Sequence, residues 1–134
     1  MQVSRIRKTT IVGAILLAGA IMLHAGVLDG TTLKVKVVPD KAAAANGAKE
    51  FDDELIFSNS ACISTALLKK GFKTSKCDAE VEQNEVEFEV EYVSATNGVV
   101  VWNGEIRGSN TLGGMQWMQA GRSNLLYEFS GTKK

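Results

Sequence analysis

Residues 85–107, EVEFEVEYVSATNGVVVWNGEIR, hold the clearest structural pattern in the chain. Over residues 85–92 glutamate alternates with an apolar or aromatic residue, so that an extended strand would have one acidic face and one apolar face. A second apolar run, residues 99–107, follows the turn-forming pair Asn97-Gly98. The stretch therefore predicts a β-hairpin, Glu85–Arg107. Four side chains of its first strand are predicted to face the core: Val86, Phe88, Val90 and Tyr92.

The two faces of this hairpin also predict its register. A two-residue turn at Asn97-Gly98 would place core residues opposite charged ones. A three-residue loop of residues 96–98, with the glycine left-handed in a bulge, places Phe88 opposite Ile106 and Tyr92 opposite Trp102. Because a slip of one residue turns every side chain to the other face, the three-residue loop is the predicted form.

A second alternating run lies upstream, at residues 31–38 (TTLKVKVV). Its apolar residues alternate with two lysines, which predicts a half-buried edge strand of the same sheet. Pro39 ends the run. Residues 41–49 are alanine-rich, contain Gly47 and have no large apolar side chain, so we interpret them as a mobile connector.

The segment from Asp52 to Lys70 is predicted to be a helix. It opens with three acids and closes with two lysines, as the helix dipole favours, and Gly71 suits the left-handed position after a last turn. Its apolar residues also recur at helical spacing. The helix could start as late as Ser58, because residues 55–57 (LIF) would also form a strand.

The C-terminal stretch, residues 111–129, is ambiguous between helix and strand. Leu112, Met115 and Met118 fit a helical stripe, whereas the residues around Tyr127 alternate as in a strand. We favour the helix, although each glycine inside it costs about 1 kcal/mol relative to alanine. The expected fold class is therefore α+β, a small antiparallel sheet with one or two helices packed on one face.

The first 28 residues are typical of a targeting segment. Three basic residues precede Thr9–Leu23, which carries no charge, and this order matches a signal peptide. Residues 9–28 just reach the length that spans a bilayer, so cleavage near Ala25 and retention as a signal anchor both stay open. In either case residues 29–134 are predicted to be an exported, periplasmic domain, soluble after cleavage or otherwise tethered to the inner membrane.

Cys62 and Cys77 are the only cysteines, and both belong to the predicted exported part. An even number of cysteines in an oxidising compartment predicts a disulfide. Its loop of about 15 residues would stabilise the fold by roughly 3 kcal/mol. The fourteen-residue gap is not a redox motif, and no histidine lies near enough to complete a zinc site.

The composition excludes several functions. His24, the only histidine, lies at the targeting segment, so the exported part has none for triad or zinc chemistry. From Gly26 onward the chain has twelve Lys or Arg and fifteen Asp or Glu, a net charge of −3 that argues against a nucleic-acid surface. We predict no catalytic residue, cofactor or metal, and no enzymatic activity.

Two groups of side chains are candidates for a partner surface. The first is the acidic row of the hairpin, which is most simply a solvated sheet face but could also bind a basic partner. The second combines methionine and tryptophan, which are common at contact surfaces. These candidate residues are Glu85, Glu87, Glu89, Glu91, Met115, Trp117 and Met118.

Two short stretches resemble a known family. Residues 67–72 (LLKKGF), followed by an alternating strand and by residues 97–104 (NGVVVWNG), resemble small LpoB-like periplasmic lipoprotein domains of bacteria. The chain departs from that family at Leu16–Ala20, where alanine replaces the cysteine that would carry the lipid. The resemblance implies a scaffold or regulator without an active site.

These observations predict a non-catalytic accessory or assembly protein of the bacterial cell envelope that acts through protein–protein contacts. A periplasmic inhibitor or small-ligand-binding protein is the alternative. A hydrolase is disfavoured because no histidine is available to activate a nucleophile.

Overall fold

The computed structural model describes residues 25–134, which form eight β-strands with two short helices. The predicted targeting segment as far as residue 24, including His24, lies outside the described residues. Among residues 25–134, no helix has the length and apolar character needed to cross a bilayer. The elements are β1 (Thr32–Pro39), α1 (Lys41–Ala45), β2 (Phe51–Ser58), β3 (Ala61–Ser64), α2 (Thr65–Leu68), β4 (Lys73–Glu82), β5 (Glu85–Ser94), β6 (Gly98–Arg107), β7 (Asn110–Met118) and β8 (Leu125–Lys133).

The eight strands form one antiparallel sheet in the order β3-β2-β1-β8-β7-β6-β5-β4. Each strand pairs with its neighbour in sequence except β3 with β4, and the first and last strands of the described residues, β1 and β8, pair with each other. The sheet curls into a barrel whose two edges, β3 and β4, meet without a ladder. The Thr74 hydroxyl donates to the Cys62 carbonyl across this seam at 2.5 Å.

The core lies inside the barrel and is rich in aromatic side chains. Trp102 is fully buried and packs edge-on against Phe129, with ring centroids 5.0 Å apart. Phe57 and Phe88 make a similar contact at 5.5 Å. Eight strands leave an interior that side chains can fill, and here large rings fill it. A short 3-10 helix, Ala25–Leu28, packs against the barrel with Leu28 buried.

The predicted α+β class is wrong, because strand dominates the described chain and each helix has only four or five residues. The expected Asp52–Lys70 helix is instead β2, β3 and α2. Its first part alternates, with Asp53, Leu55 and Phe57 facing the core. The alternation is not evident in the sequence, because one of the inward-facing residues, Asp53, is charged. Gly71 does have the predicted left-handed conformation, with φ +86°, but α2 ends at Leu68 rather than at Lys70.

The favoured helix at residues 111–129 is also wrong, since the stretch contains β7 and the start of β8. The glycines that weaken a helix have a different role here. Gly113 faces the interior opposite Gly104, and a Cβ built on it would lie 2.6 Å from the Gly104 Cα. Two facing glycines thus make room for the Phe88 and Phe129 rings.

The Glu85–Arg107 hairpin is confirmed as β5 and β6, but its register differs from the predicted one by two residues. Val90 lies opposite Trp102, and Phe88 lies opposite Gly104. The faces are as predicted because a shift of two keeps every side chain on its side. The register follows from packing, since the Phe88 ring fills the space that Gly104 leaves open.

The predicted upstream strand is confirmed as β1, between β2 and β8 rather than at an edge. The predicted connector, residues 41–49, begins with α1. The Asp40 carboxylate caps this helix by accepting from the Ala43 amide at 2.8 Å, and Ala43 is buried. The helix α1 therefore packs against the barrel through one small side chain, that of Ala43.

The predicted disulfide is not formed, and both cysteines are free thiols. Cys62 is fully buried, and its sulfur accepts a hydrogen bond from the Tyr92 hydroxyl at 3.2 Å. Burial raises the pKa of Cys62 to about 12 and that of Cys77 to about 11. Both thiols are therefore protonated at neutral pH, and Cys62 packs as a small apolar group.

Candidate functional site

One end of the barrel carries an open cleft with a volume of about 1270 Å³. The ends of the odd-numbered strands and the starts of the even-numbered ones meet there, together with both helices. We call this end the mouth and the cleft the mouth cleft. Its lining includes α2, the loop from α1 to β2 and the loop from β7 to β8, and extends over the outside of β1, β2 and β8.

The floor of the mouth cleft is aromatic and aliphatic. Phe51 and Tyr127 contact each other edge-on at 6.0 Å, and Trp117 and Leu125 form a cross-strand pair beside them. Phe51, Trp117 and Leu125 are half-buried, so their free faces are available to the cleft. Such a floor favours an apolar ligand.

The helix α2, on one side of the mouth cleft, is fixed at its start by Asp53. This buried carboxylate accepts from the Ser64 hydroxyl at 2.5 Å and from the Ala66 amide at 2.9 Å. Ser64 in turn caps α2 by accepting from the Leu67 amide at 3.1 Å. Burial raises the pKa of Asp53, while these hydrogen bonds oppose the rise. Asp53 therefore has a structural role as an anchor for α2.

The turn between β5 and β6 fixes the chain after α2. The side-chain amide of Asn97 donates to the Lys70 carbonyl at 2.8 Å, and the Asn97 carbonyl accepts from the Trp117 indole at 2.7 Å. The Trp117 ring also packs edge-on against Phe72 at 6.0 Å. The walls of the mouth cleft are thus held by hydrogen bonds to the sheet, and Trp117 has a defined position.

The rim of the mouth cleft is cationic. Lys69 and Lys70 follow α2, Arg122 belongs to the β7–β8 loop and Lys49 to the α1–β2 loop. Within residues 25–134, none of these four cations takes part in an ion pair. Two carboxylates of the lining, Glu50 and Glu54, do have cationic partners, Lys36 at 3.4 Å and Lys134 at 3.3 Å.

A second feature lies on the outside of β4, β5 and β6, where the predicted acidic row forms part of a larger surface. We call this surface the acidic wall. It presents like charges directly opposite each other: Glu80 with Glu87, Glu87 with Glu105, Asp78 with Glu89, and Glu82 with Glu85. Such cross-strand pairs are destabilising. Its carboxylates are Asp78, Glu80, Glu82, Glu85, Glu87, Glu89, Glu91 and Glu105.

Glu87 lies at the centre of the acidic wall. Partial burial and the neighbouring carboxylates raise its pKa to about 7. Carboxylate oxygens of Glu85, Glu87 and Glu105 lie within 4.8 Å of one another. Arg107 donates to Glu85 at 2.6 Å and lies 3.6 Å from Glu105, so a guanidinium already neutralises part of this trio.

Substituting Glu87→Gln is expected to stabilise the protein above pH 7, because it removes a charge that has like-charged neighbours on both adjacent strands. A carboxyl whose pKa is raised by folding favours the folded state below its ordinary pKa and loses that contribution as pH rises through about 7. The unfolding free energy of the wild type should therefore fall between about pH 5 and pH 7. At pH 8 the variant should gain about 0.5 to 1 kcal/mol in urea unfolding.

Glu91→Gln is the matched control, because Glu91 lies opposite Lys76 on β4 and accepts from the Ser75 hydroxyl at 2.7 Å. It should bring no gain at pH 8. An equal gain from both variants would mean that overall charge, rather than the position of Glu87, sets the effect.

The structure separates the other predicted contact residues. Met115 is buried in the core, Trp117 faces the mouth cleft and Met118 points outward. These three residues form no common surface, because Met118 lies on the opposite side of β7 from the other two and Met115 is enclosed in the core. Sequence reasoning did not identify Phe51, Leu125 or the cations of the rim as residues of a cleft. An alternating interpretation of residues 51–57 would have placed Phe51 on the inner face.

No family model, curated protein or solved structure matches the chain. The resemblance to LpoB-like domains therefore stays a prediction from short sequence motifs.

Proposed function

We propose that this is a non-catalytic binding protein of the cell envelope that holds a small ligand in the mouth cleft. The observation that carries the proposal is the cleft itself, an apolar floor between walls fixed by Asp53 and Asn97. Walls that are fixed before binding reduce the entropy that binding costs. Export rests on the basic and apolar order of residues 1–23.

The ligand would bind at the mouth rather than in the centre of the barrel, because the aromatic core occupies the interior. A purely binding role fits the groups that line the cleft. Asp53 has three hydrogen-bond donors from the chain itself, and the Thr65 hydroxyl donates to the Glu54 carbonyl. Neither Asp53 nor Thr65 is therefore placed as a free base or a free nucleophile in the cleft.

The neutral fluorescent probe N-phenyl-1-naphthylamine tests this function. We expect saturable binding by one probe per chain, with transfer of excitation from tryptophan. Leu125→Asp should weaken probe binding at least tenfold, since it places a charge on the apolar floor. Leu126→Asp is the control, because this neighbour is 47% exposed on the outer face of β8, and it should bind like the wild type. Absence of binding by the wild type, or equal loss in both variants, would refute the proposal.

A second function, docking of a basic envelope protein on the acidic wall, is favoured by the like-charged pairs of that wall. A surface that retains such pairs despite their cost is typical of a functional site. Crosslinking in intact envelopes tests it: a partner captured by the wild type should be lost when Glu80, Glu87 and Glu105 are all changed to Gln. Equal capture by the variant would rule out the wall as the docking surface.

A further inference from the structure

We infer that the ligand of the mouth cleft is a small amphiphilic anion, an apolar body that carries one acidic group such as a carboxylate or sulfonate. The inference rests on the proposed binding function and adds the chemical class of the ligand. It follows from where the charged and apolar side chains of the described residues lie relative to one another.

The first step is the segregation of charge over the molecule. The described domain is acidic, and eight of its carboxylates lie together on the acidic wall. The four rim cations, none of which has an ionic partner among the described residues, come from three separate segments: Lys69 and Lys70 after α2, Arg122 before β8 and Lys49 before β2. An anion would therefore be attracted to the mouth and repelled from the wall.

The second step is that the carboxylates beside the cleft do not neutralise these cations. Glu54 pairs with Lys134, which lies outside the lining, and Glu50 pairs with Lys36, which belongs to it. Asp52 lies opposite the same lysine on the outer face of the sheet. Asp53 faces inward, but Ser64 and the Ala66 amide occupy its oxygens. The lining as a whole holds six cations and these four carboxylates, so it offers a net positive charge to a ligand.

The third step is the arrangement of rim and floor. The floor, with Phe51, Trp117 and Leu125, lies between the loops that carry the cations. A ligand with its apolar body on the floor would bring an acidic group to the rim. The Arg122 guanidinium can hold a carboxylate by two parallel hydrogen bonds, and the lysines add point charges. A neutral ligand would leave the rim cations without an anionic partner, and a cationic ligand would be repelled by them.

The test compares two probes with the same aromatic skeleton, neutral N-phenyl-1-naphthylamine and anionic 1-anilinonaphthalene-8-sulfonate. We expect the wild type to bind the anionic probe about tenfold more tightly at low salt, and this preference to shrink as salt is added. A Lys69→Gln, Lys70→Gln and Arg122→Gln variant should lose the preference while its affinity for the neutral probe changes less than twofold.

The matched control changes three cations that do not line the mouth cleft, Lys76, Arg107 and Lys133, to Gln. It has the same net charge as the rim variant and should keep the preference for the anionic probe. If this control loses the preference as well, overall charge rather than the rim explains it, and the inference is overturned.

The two proposals fail in different ways. Binding of the neutral probe with no preference for the anionic one, in the wild type, would contradict the ligand class and leave the binding function intact. Failure of both probes to bind would contradict the function itself. Loss of neutral-probe binding in the rim variant would show that its cations support the cleft structurally, and this too would overturn the inference.

Discussion

Trp102→Ala is expected to lower the unfolding free energy by about 3 to 5 kcal/mol, the largest effect of a single truncation in this chain. Trp102 is fully buried on β6, opposite Val90 and Met115, and its ring packs against Phe129 at 5.0 Å. Its removal leaves a cavity at the centre of the barrel that the surrounding strands cannot close. Urea unfolding followed by circular dichroism measures the loss.

Trp102→Phe separates packing from hydrogen bonding at the same position. The Trp102 indole nitrogen is the one buried side-chain polar atom of the described residues that has no hydrogen-bond partner. Phenylalanine removes this unsatisfied donor, which offsets part of the lost contact. The Phe variant should therefore lose less than half as much stability as the Ala variant. Equal losses would mean that the indole nitrogen has a partner in solution.

Gly113→Ala is expected to cost about 3 kcal/mol or more, although it adds only one methyl group. The new Cβ would press on the Asn103 carbonyl oxygen and lie 2.6 Å from the Gly104 Cα and 2.8 Å from the Phe129 ring. Two of these neighbours are backbone atoms of β6, so relief requires that β6 and β7 move apart. Thermal unfolding should show a much lower midpoint.

Leu112→Ala is the control for this effect, because Leu112 is the neighbouring residue on β7 and is 51% exposed on the outer face. It should change the unfolding free energy by less than about 0.5 kcal/mol. A Gly113→Ala variant as stable as this control would contradict the close approach of β6 and β7.

Strict alternation made the central part of the fold predictable. Between residues 85 and 92 every second residue is a glutamate, and β5 and β6 pair with the predicted faces. The exact partners were not predictable, because a shift of two residues preserves both faces. Only the packing of Phe88 over Gly104 distinguishes the two registers, and that contact depends on the third strand, which brings Gly113.

The helix prediction for residues 52–70 failed because tertiary contacts override the local pattern. Acids before apolar residues and lysines after them are typical of a helix. In the structure the inward carboxylate of Asp53 is satisfied by Ser64 and the Ala66 amide, which lie eleven and thirteen residues away. A buried acid in a strand has no local signature, so the segment could not be identified as β2 from its own sequence.

The candidate site was predictable only in part. The acidic row was visible because its residues are close in sequence, and it does lie on one outer face. The mouth cleft was not visible, because its residues come from α2 and from loops more than fifty residues apart. Trp117 was singled out for its residue type, but its neighbours in the cleft depend on closure of the sheet between β1 and β8.

The two tryptophans allow the most direct measurement of the central claim, that ligands bind at the mouth. The Trp117 indole faces the mouth cleft and donates to Asn97, whereas Trp102 is enclosed in the core. In a nitrogen–proton correlation spectrum, titration with 1-anilinonaphthalene-8-sulfonate should shift the Trp117 indole signal and leave that of Trp102 in place. A shift of Trp102 alone, or of amides on the acidic wall without Trp117, would contradict the account.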